Sequence, residues 1–311
     1  MPNSWRFGYG VGREYGTKSL PIEKYNVGNL YAGWCLDWGV RQKPLYLHVN
    51  FVQLIWIEKN NYFPSTSEIR TAAINNPGSI WLIGNEPDNI FQGNSRPEEY
   101  AMLYHTLYSL IKEFDPNSKI AIGGITQVTP LRLRYLDLVL SNYQNKYGTK
   151  IPIDIWNVHI YFNQEKRGNW GCDIPPGFSE NQGILYKISD SDNFLEFKKQ
   201  ILTFRKWMAS KGERNKQLVI SEFGVLMPEL YGFNTAKVKT YMISSFDYLL
   251  SSRDSSYGCP SDGNLLVQKW AWFSLNVPEQ YKMWTRNNLL IPSTGKLTSL
   301  GNSFGSYVKN H

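Results

Sequence analysis

The sequence is poor in the residues that build metal centres and disulfide frameworks. It contains 3 cysteines and 4 histidines in 311 residues, and no two histidines are closely spaced. Cys35, Cys172 and Cys259 cannot all pair within one chain, and their spacing matches no zinc motif. We therefore expect no metal ion. The barrel predicted below places Cys172 and Cys259 on opposite sides, so we expect no bridge between them. A metal-dependent hydrolase, which needs clustered His and Asp ligands, is disfavoured.

Long apolar runs are also missing. No stretch reaches the roughly 20 residues of a membrane-spanning helix. The first residues, Met1–Trp5, lack the charged and apolar regions of a secretory leader. We expect no membrane partner, and we expect a protein that acts outside the cytoplasm as the mature part of a secreted precursor.

The basic balance is spread thinly along the chain. Lys and Arg number 33 against 26 Asp and Glu, a net charge of +7, but no run of five basic residues occurs. We interpret Lys198-Lys199 and Arg205-Lys206 as the solvated face of a helix. The sequence therefore indicates no nucleic-acid partner.

Glycine fingerprints, internal repeats and low-complexity linkers are absent as well. The nearest dinucleotide-like element, Gly8-Tyr9-Gly10-Val11-Gly12, has the wrong spacing. No composition shift marks a domain boundary, so we expect one domain over residues 1–311, a monomer without a cofactor.

Eight apolar segments rich in β-branched and aromatic residues are present, and each predicts a strand. They are Trp5–Gly10, Leu30–Trp38, Leu45–Ile57, Ser79–Asn85, Lys119–Ile125, Ile153–Phe162, Gln217–Phe223 and Val267–Leu275. Helical stripes follow the fourth, sixth and seventh; the clearest runs from Pro97 to Phe114, and the other two begin near Asn193 and Asn234. Alternating strands and helices predict an α/β fold, a closed (β/α)8 TIM barrel.

Two glutamates directly follow or end such strands. Glu86 follows the fourth predicted strand and Glu222 lies at the end of the seventh. In a (β/α)8 enzyme the chemistry lies where strands end, and a carboxylate there without a purpose would be costly. Retaining glycoside hydrolysis uses one carboxyl as general acid/base and another as nucleophile. We predict that Glu86 and Glu222 are this pair.

The neighbours of the two glutamates carry a family resemblance. Trp81-Leu-Ile-Gly-Asn-Glu-Pro-Asp88 resembles the Asn-Glu-Pro signature of clan A glycoside hydrolases, and Ser221-Glu-Phe-Gly224 resembles the nucleophile strand of that clan. The resemblance implies that Glu86 is the general acid/base and Glu222 the nucleophile, because in that clan these residues end the fourth and seventh strands. It also implies that Asn85 binds the 2-hydroxyl of the sugar, with holding the turn as its alternative role.

The sixth predicted strand contributes a further group of polar residues. Alternation puts Asn157, His159 and Tyr161 on one face. The His-x-Tyr pattern is similar to that of the clan, which implies that these side chains line the substrate cleft near the nucleophile. A packed core histidine is the alternative.

Aromatic residues make up 15% of the chain, with 11 Trp and 20 Tyr, which suits stacking on sugar rings but also core packing. The resemblance implies that Trp272 is a platform under the sugar at the cleavage point. Trp56 and Trp34 are further platform candidates, with plain packing as the alternative for each.

The order of these motifs along the chain looks like glycoside hydrolase family 128, the endo-β-1,3-glucanases, with families 5 and 39 as relatives. The implied function is retaining cleavage of a β-linked glycan, β-glucan above all. Two departures are the long segment between Phe162 and Asn193 and the motifs shared with families 5 and 39. An exo-acting β-glycosidase of another clan A family and a non-catalytic polysaccharide-binding barrel remain as alternatives.

Overall fold

In a computed structural model of the protein, residues 2–12, 25, 27–44, 49–278 and 285–311 are described. They form ten strands and six α-helices. The strands are β1 (Phe7–Gly10), β2 (Trp34–Leu36), β3 (Asn50–Phe51), β4 (Gln53–Glu58), β5 (Asn61–Phe63), β6 (Ile80–Asn85), β7 (Lys119–Gly124), β8 (Ile155–Ile160), β9 (Gln217–Phe223) and β10 (Lys269–Trp272). The helices are α1 (Thr66–Asn75), α2 (Pro97–Phe114), α3 (Pro130–Tyr147), α4 (Phe194–Ser210), α5 (Thr235–Ser251) and α6 (Ser299–Asn310).

All ten strands belong to one sheet. Their order is β3-β2-β1-β10-β9-β8-β7-β6-β4-β5. Neighbours pair in parallel, apart from the antiparallel hairpin of β4 with β5. Each predicted strand region therefore contains a strand, and β5 is an addition that the sequence pattern did not predict. Part of the third predicted strand, residues 45–48, lies outside the described residues.

The sheet curls back on itself without closing. β3 pairs with β2 and β4 pairs with β6, yet only Val52 separates β3 from β4 along the chain. The two ends of the pairing order must therefore approach each other. The expected α/β architecture is confirmed, but the ladder is interrupted at Val52 and the barrel is not closed by continuous strand pairing in the described part of the chain.

The helices begin and end where local chemistry dictates. α2 buries an apolar stripe that includes Tyr100, Tyr104 and Ile111, and starts with Pro97 at a position that needs no amide donor. The side chain of Asn193 caps α4 by accepting from two backbone N–H groups, and Asn234 caps α5. These three helices confirm the starts that were predicted.

Apolar side chains pack in two layers. A small cluster fills the inside of the curled sheet: Trp34, Leu36, Val52, Leu54, Leu82, Ala121, Ile155, Val219 and Ala271. The larger layer lies between the outer face of the sheet and the helices, and includes Trp81, Trp156 and Trp270. Polar side chains at the carboxyl-terminal ends of the strands lie above the inner cluster.

One surface prediction is wrong. Arg205 on α4 is fully buried. Its guanidinium is satisfied there because it donates to the backbone carbonyls of Leu266 and Lys216 and to the side chain of Gln268. Lys199 and Lys206 are exposed as expected. A buried cation on an otherwise amphipathic helix is invisible to the helical pattern, since its partners lie far away in sequence.

Two further features bear on the sequence expectations. The three cysteines are free and buried. Among the helices of the described residues, none combines the length and apolarity that crossing a membrane requires.

Candidate active site

Glu86 stands directly after β6, on a backbone conformation that L-residues rarely adopt. Its φ is 42°. Backbone contacts hold it there: its N–H donates to the carbonyl of Gly124 at 3.0 Å, and its carbonyl accepts from the N–H groups of Asn89 and Gly93. The loop that follows β6 is thus closed on Glu86 itself, which fixes the direction of the carboxyl group.

Glu222 is aimed by an irregularity in β9. Val158 of β8 pairs with Ile220 but His159 pairs with Glu222, so β9 holds one extra residue at this point. Such a bulge re-aims side chains and is common beside active sites. Because of it, Ser221 contacts His159 of β8 and Glu222 contacts Tyr161 just after β8, while Phe223 packs in the outer layer.

Four hydrogen bonds hold the two carboxyl groups. Glu86 lies 2.9 Å from Nδ1 of His159 and accepts from the side-chain amide of Asn89 at 2.7 Å. Glu222 accepts from the hydroxyl of Tyr161 at 2.9 Å and from the indole N–H of Trp38 at 3.1 Å. Oxygen atoms of the two carboxyl groups and a nitrogen of His159 lie within 4.8 Å of one another. Two glutamates 136 residues apart in sequence therefore meet at one site.

Burial and mutual charge shift the pKa values of this group. Burial raises the pKa of Glu222 and the charge of Glu86 adds to the rise, while His159, Tyr161 and Trp38 oppose it. Burial also acts to raise the pKa of Glu86, but the hydrogen bonds from His159 and Asn89 and the charges of His159 and Arg132 outweigh it and lower this pKa. The two carboxyl groups are close enough to titrate as a pair, and with His159 charged these shifts favour a proton on Glu222 over one on Glu86.

His159 of β8 contacts both the loop that carries Glu86 and the strand β9 that carries Glu222. Burial lowers its pKa, but the charges of Glu222 and Glu86 outweigh burial and raise it. Its Nε2 lies 3.1 Å from the hydroxyl of Ser221, and the backbone N–H of Ser221 donates to Asn157 at 3.2 Å. Asn157, His159 and Tyr161 thus share one face of β8 and its continuation, as alternation predicted. Asn157 is buried and accepts from the backbone of Ser221, so it supports the strand that carries Glu222.

The three tryptophans predicted as sugar platforms differ in their exposure. Trp272 is fully buried in the outer layer against Phe223 and Phe246, and its indole N–H donates to the carbonyl of Asn287. Trp34 is 1% exposed inside the curled sheet. Neither offers a ring face to a ligand, so the platform interpretation of these two is wrong. Trp56 is half-buried above the inner cluster and remains a candidate.

The buried position of Trp272 follows from strand alternation. Ala271 points into the inner cluster, so Trp270 and Trp272 on either side of it must point outward to the helices. The next inward position is Phe273, whose half-buried ring meets that of Trp38 edge-on at 5.6 Å. Counting alternation from Ala271 would have identified it.

Trp38 and Asn89 are the site residues that sequence reasoning did not assign. Trp38 ends the second predicted strand, so its place at the strand end was a usable signal. Asn89 has no strand position; only the turn after Glu86 brings its amide onto that carboxylate. Asn85 is 5% exposed, and its side chain makes no hydrogen bond to the described residues.

Metal binding has one geometric candidate in the described ranges. Glu86, His159 and Glu222 present atoms close enough to ligate one ion. These same atoms already engage one another and Asn89, Tyr161 and Trp38 in hydrogen bonds. The arrangement suits proton transfer and nucleophilic attack, for which two carboxyl groups and an imidazole in contact are sufficient.

Comparison with known proteins begins with the sequence. The sequence model of the family described as "Glycosyl hydrolase catalytic core" matches residues 14–170 of the chain. A search of curated proteins with the whole chain gave no significant match.

Solved structures share the fold over nearly the whole chain. An endo-β-1,3-glucanase of glycoside hydrolase family 128, subgroup II, from Sorangium cellulosum is similar with a TM-score of 0.64 and 18% identity, covering 97% of this chain and 98% of its own. A curdlan-specific exo-β-1,3-glucanase of subgroup III from Blastomyces gilchristii gives 0.62 and 16%, covering 98% and 100%. A subgroup I endo-β-1,3-glucanase from Amycolatopsis mediterranei, a glutamate-to-glutamine variant in complex with laminarihexaose, gives 0.61 and 14%, covering 97% and 98%.

Proposed function

Because the chain belongs to the glycosyl hydrolase catalytic core family, we propose that it is a retaining glycoside hydrolase of family 128 that cleaves β-1,3-glucan. The observation that supports the mechanism is that one carboxylate oxygen of Glu86 and one of Glu222 lie within 4.8 Å of each other, an approach that favours the shorter of two known separations between catalytic carboxyl groups. Retaining enzymes hold their carboxyl groups about 5–5.5 Å apart, whereas inverting enzymes separate them by about 6.5–9.5 Å to admit a water.

In the first step Glu222 attacks the anomeric carbon from the face opposite to the leaving group. A bond forms between its carboxylate oxygen and that carbon, the glycosidic bond breaks, and Glu86 gives its proton to the leaving oxygen. Tyr161 and Trp38 each donate a hydrogen bond to Glu222. They hold the carboxylate in one orientation, and these hydrogen bonds weaken as Glu222 loses its negative charge on forming the ester.

In the second step a water replaces the departed sugar. Glu86, now ionised, takes a proton from this water, whose oxygen bonds to the anomeric carbon while the bond to Glu222 breaks. The net configuration of the sugar is retained, and both carboxyl groups return to their starting states.

His159 supplies the means for Glu86 to change roles. A protonated His159 donates from Nδ1 and favours ionised Glu86, which lowers the pKa of that carboxyl. A neutral His159 whose proton is on Nε2, donating to Ser221, can instead accept from protonated Glu86. We assign the second arrangement to the acid step. The first arrangement belongs to the base step and needs one more proton, which His159 takes from solvent after the leaving group departs and returns to solvent when Glu86 is protonated again.

Substrate recognition falls to side chains around the carboxyl pair. Asn85 has an amide without a partner among the described residues and is suited to the sugar 2-hydroxyl. Half-buried Trp56, Trp38 and Phe273 offer apolar surface for sugar rings. The β-1,3-glucan specificity rests on the solved structures of similar fold, which are β-1,3-glucanases, one of them holding laminarihexaose.

Endo action is part of the proposal, with an exo-acting β-glycosidase as the alternative, since similar structures include both types. We also propose that the chain is a single catalytic domain related to the (β/α)8 barrels, with its strand ladder interrupted at Val52. The protein is expected to act as a monomer outside the cytoplasm, with carbohydrate as its partner and without cofactor, membrane or nucleic acid.

The proposal is tested by release of reducing sugar from curdlan and laminarin by the wild type and by Glu222→Gln. Wild-type release that the substitution abolishes is the expected result, and β-1,4-glucan, mixed-linkage glucan, xylan, mannan and galactan serve as comparison substrates. Long soluble products indicate endo action, and glucose or laminaribiose alone indicates exo action. Equal, negligible release by both proteins from every glycan would favour the non-catalytic binding barrel.

A further inference from the structure

Arg132 is a buried cation on the first turn of α3. Its side chain is fully buried, and a guanidinium in that position is stable only when its donors are satisfied. It makes five hydrogen bonds, as many as a guanidinium has N–H donors. No donor is left to bind a ligand, so its function must lie in what it holds together.

One side of the guanidinium holds the loop that carries Glu86. One terminal nitrogen donates to both the backbone carbonyl and the carboxylate of Asp88, each at 2.6 Å. Asp88 lies two residues after Glu86, and its carboxylate also accepts from the backbone N–H of Thr126 after β7. The chain beyond Glu86 is thus fixed to α3 and to the neighbouring strand end.

The other side holds the segment between β8 and α4, residues 161–193. Nε donates to Glu165 at 3.0 Å, and the second terminal nitrogen donates to the carbonyls of Cys172 and Asp173 at 3.1 and 2.9 Å. Glu165 is itself fully buried and accepts from Thr129 and from the backbone N–H of Ile184. This long segment is therefore tied to the loop of Glu86 through one side chain.

We propose that Arg132 is a positioning residue for Glu86, and that it makes the placement of this carboxyl group depend on segment 161–193. The inference rests on the proposed function, in which Glu86 must reach the leaving oxygen of the glycan. Segment 161–193 is then part of the support of the general acid. The charge of Arg132 also acts on Glu86, where it joins His159 in lowering the pKa.

The test compares Arg132→Lys with Arg205→Lys. Both arginines are fully buried and donate to backbone carbonyls, but Arg205 binds Leu266, Lys216 and Gln268, away from the loop of Glu86. Each variant is assayed on laminarihexaose, whose leaving group needs a proton, and on a dinitrophenyl β-1,3-gluco-oligosaccharide, whose leaving group does not. The measured quantity is the ratio of the two kcat/KM values.

Arg132→Lys is expected to lower kcat/KM on laminarihexaose by about tenfold more than on the dinitrophenyl substrate, mainly through kcat. Arg205→Lys is expected to affect both substrates equally. A folded Arg132→Lys with an unchanged ratio overturns the proposal.

Glu165→Gln, which keeps the side-chain size, is the second variant should Arg132→Lys not fold. A raised preference for the dinitrophenyl substrate supports the proposal, and an unchanged preference overturns it. A wild type inactive on every β-glucan defeats the proposed function before any variant is compared.

Discussion

At the scale of single residues, the account depends on two carboxyl groups with different tasks in almost the same surroundings. Both are buried, each takes part in two hydrogen bonds, and the charge of His159 acts on both. Their positions differ: Glu86 stands on a loop after β6, whereas Glu222 is part of the bulged β9. Kinetics with substrates of different leaving groups separates the two tasks.

Glu86→Ala is expected to lower kcat/KM on β-1,3-glucan by about 10²–10⁴-fold, the usual contribution of a general acid. It should remain active on dinitrophenyl glycosides, because their leaving group departs without a proton. Glu222→Ala should lose turnover of both substrate types. A Glu86→Ala variant as defective on the dinitrophenyl glycoside as on the glucan would contradict the assignment.

Tyr161→Phe is expected to move the acidic limb of the pH profile of kcat/KM to higher pH. The hydroxyl of Tyr161 lowers the pKa of Glu222, so its removal raises that pKa further. Glu222 must be ionised to attack, and activity is lost as pH falls through its pKa. The acidic limb of the kcat/KM profile therefore moves to higher pH together with the pKa of Glu222.

The matched control for Tyr161→Phe is Tyr104→Phe. Tyr104 is a buried tyrosine whose hydroxyl donates to the backbone carbonyl of Pro152, away from both glutamates. Its removal should leave the acidic limb in place. Equal limbs in wild type and Tyr161→Phe would show that this hydroxyl does not act on the nucleophile.

At the scale of elements, strand alternation accounts for what the sequence could and could not predict. On β8 a regular alternation placed Asn157, His159 and Tyr161 on one face, and the structure agrees. On β9 the bulge turns both Ser221 and Glu222 inward, which a period of two cannot anticipate. Contacts made by turns, such as that of Asn89 with Glu86, carry no periodic signal at all.

Trp272 and Trp56 are expected to respond oppositely to truncation. Trp272→Ala removes a fully buried ring from the outer layer, and should lower the free energy of unfolding by about 3–5 kcal/mol. Trp56→Ala should raise KM for laminari-oligosaccharides with a smaller loss of stability, since its ring is half-buried above the inner cluster. Urea denaturation and steady-state kinetics on both variants provide the measurements. A higher KM in folded Trp272→Ala would reinstate it as a platform.

At the scale of the whole molecule, apolar strand patterns and helix stripes were sufficient to predict an α/β fold of mainly parallel strands, but the closed (β/α)8 barrel that they also predicted is not formed by continuous strand pairing. The predicted starts of α2, α4 and α5 hold because their N-terminal residues satisfy local geometry. The break at Val52 and the hairpin β4–β5 could not be predicted, since strand pairing depends on contacts distant in sequence. That the chain forms a single domain stays a prediction.

The catalytic site is expected to work without a metal ion. Glu86, His159 and Glu222 are close enough to ligate one. Double displacement, however, uses Glu86 as proton donor and Glu222 as nucleophile, and neither role requires a metal. Dialysis against EDTA should leave kcat/KM on laminarin unchanged, whereas added Zn²⁺ should inhibit by occupying both carboxyl groups. Loss of activity on chelation, restored by a divalent ion, would point to a metal-dependent hydrolase.

The most direct measurement is the anomeric configuration of the glycosyl azides formed when azide rescues each glutamate variant on a dinitrophenyl β-1,3-gluco-oligosaccharide. Glu86→Ala still forms the ester with Glu222, so azide displaces it and gives the β-glycosyl azide. In Glu222→Ala, azide takes the place of the nucleophile and gives the α-glycosyl azide. Exchanged configurations would reverse the roles of Glu86 and Glu222, and inverted sugar as the first product of the wild type on laminarihexaose would exclude the retaining mechanism.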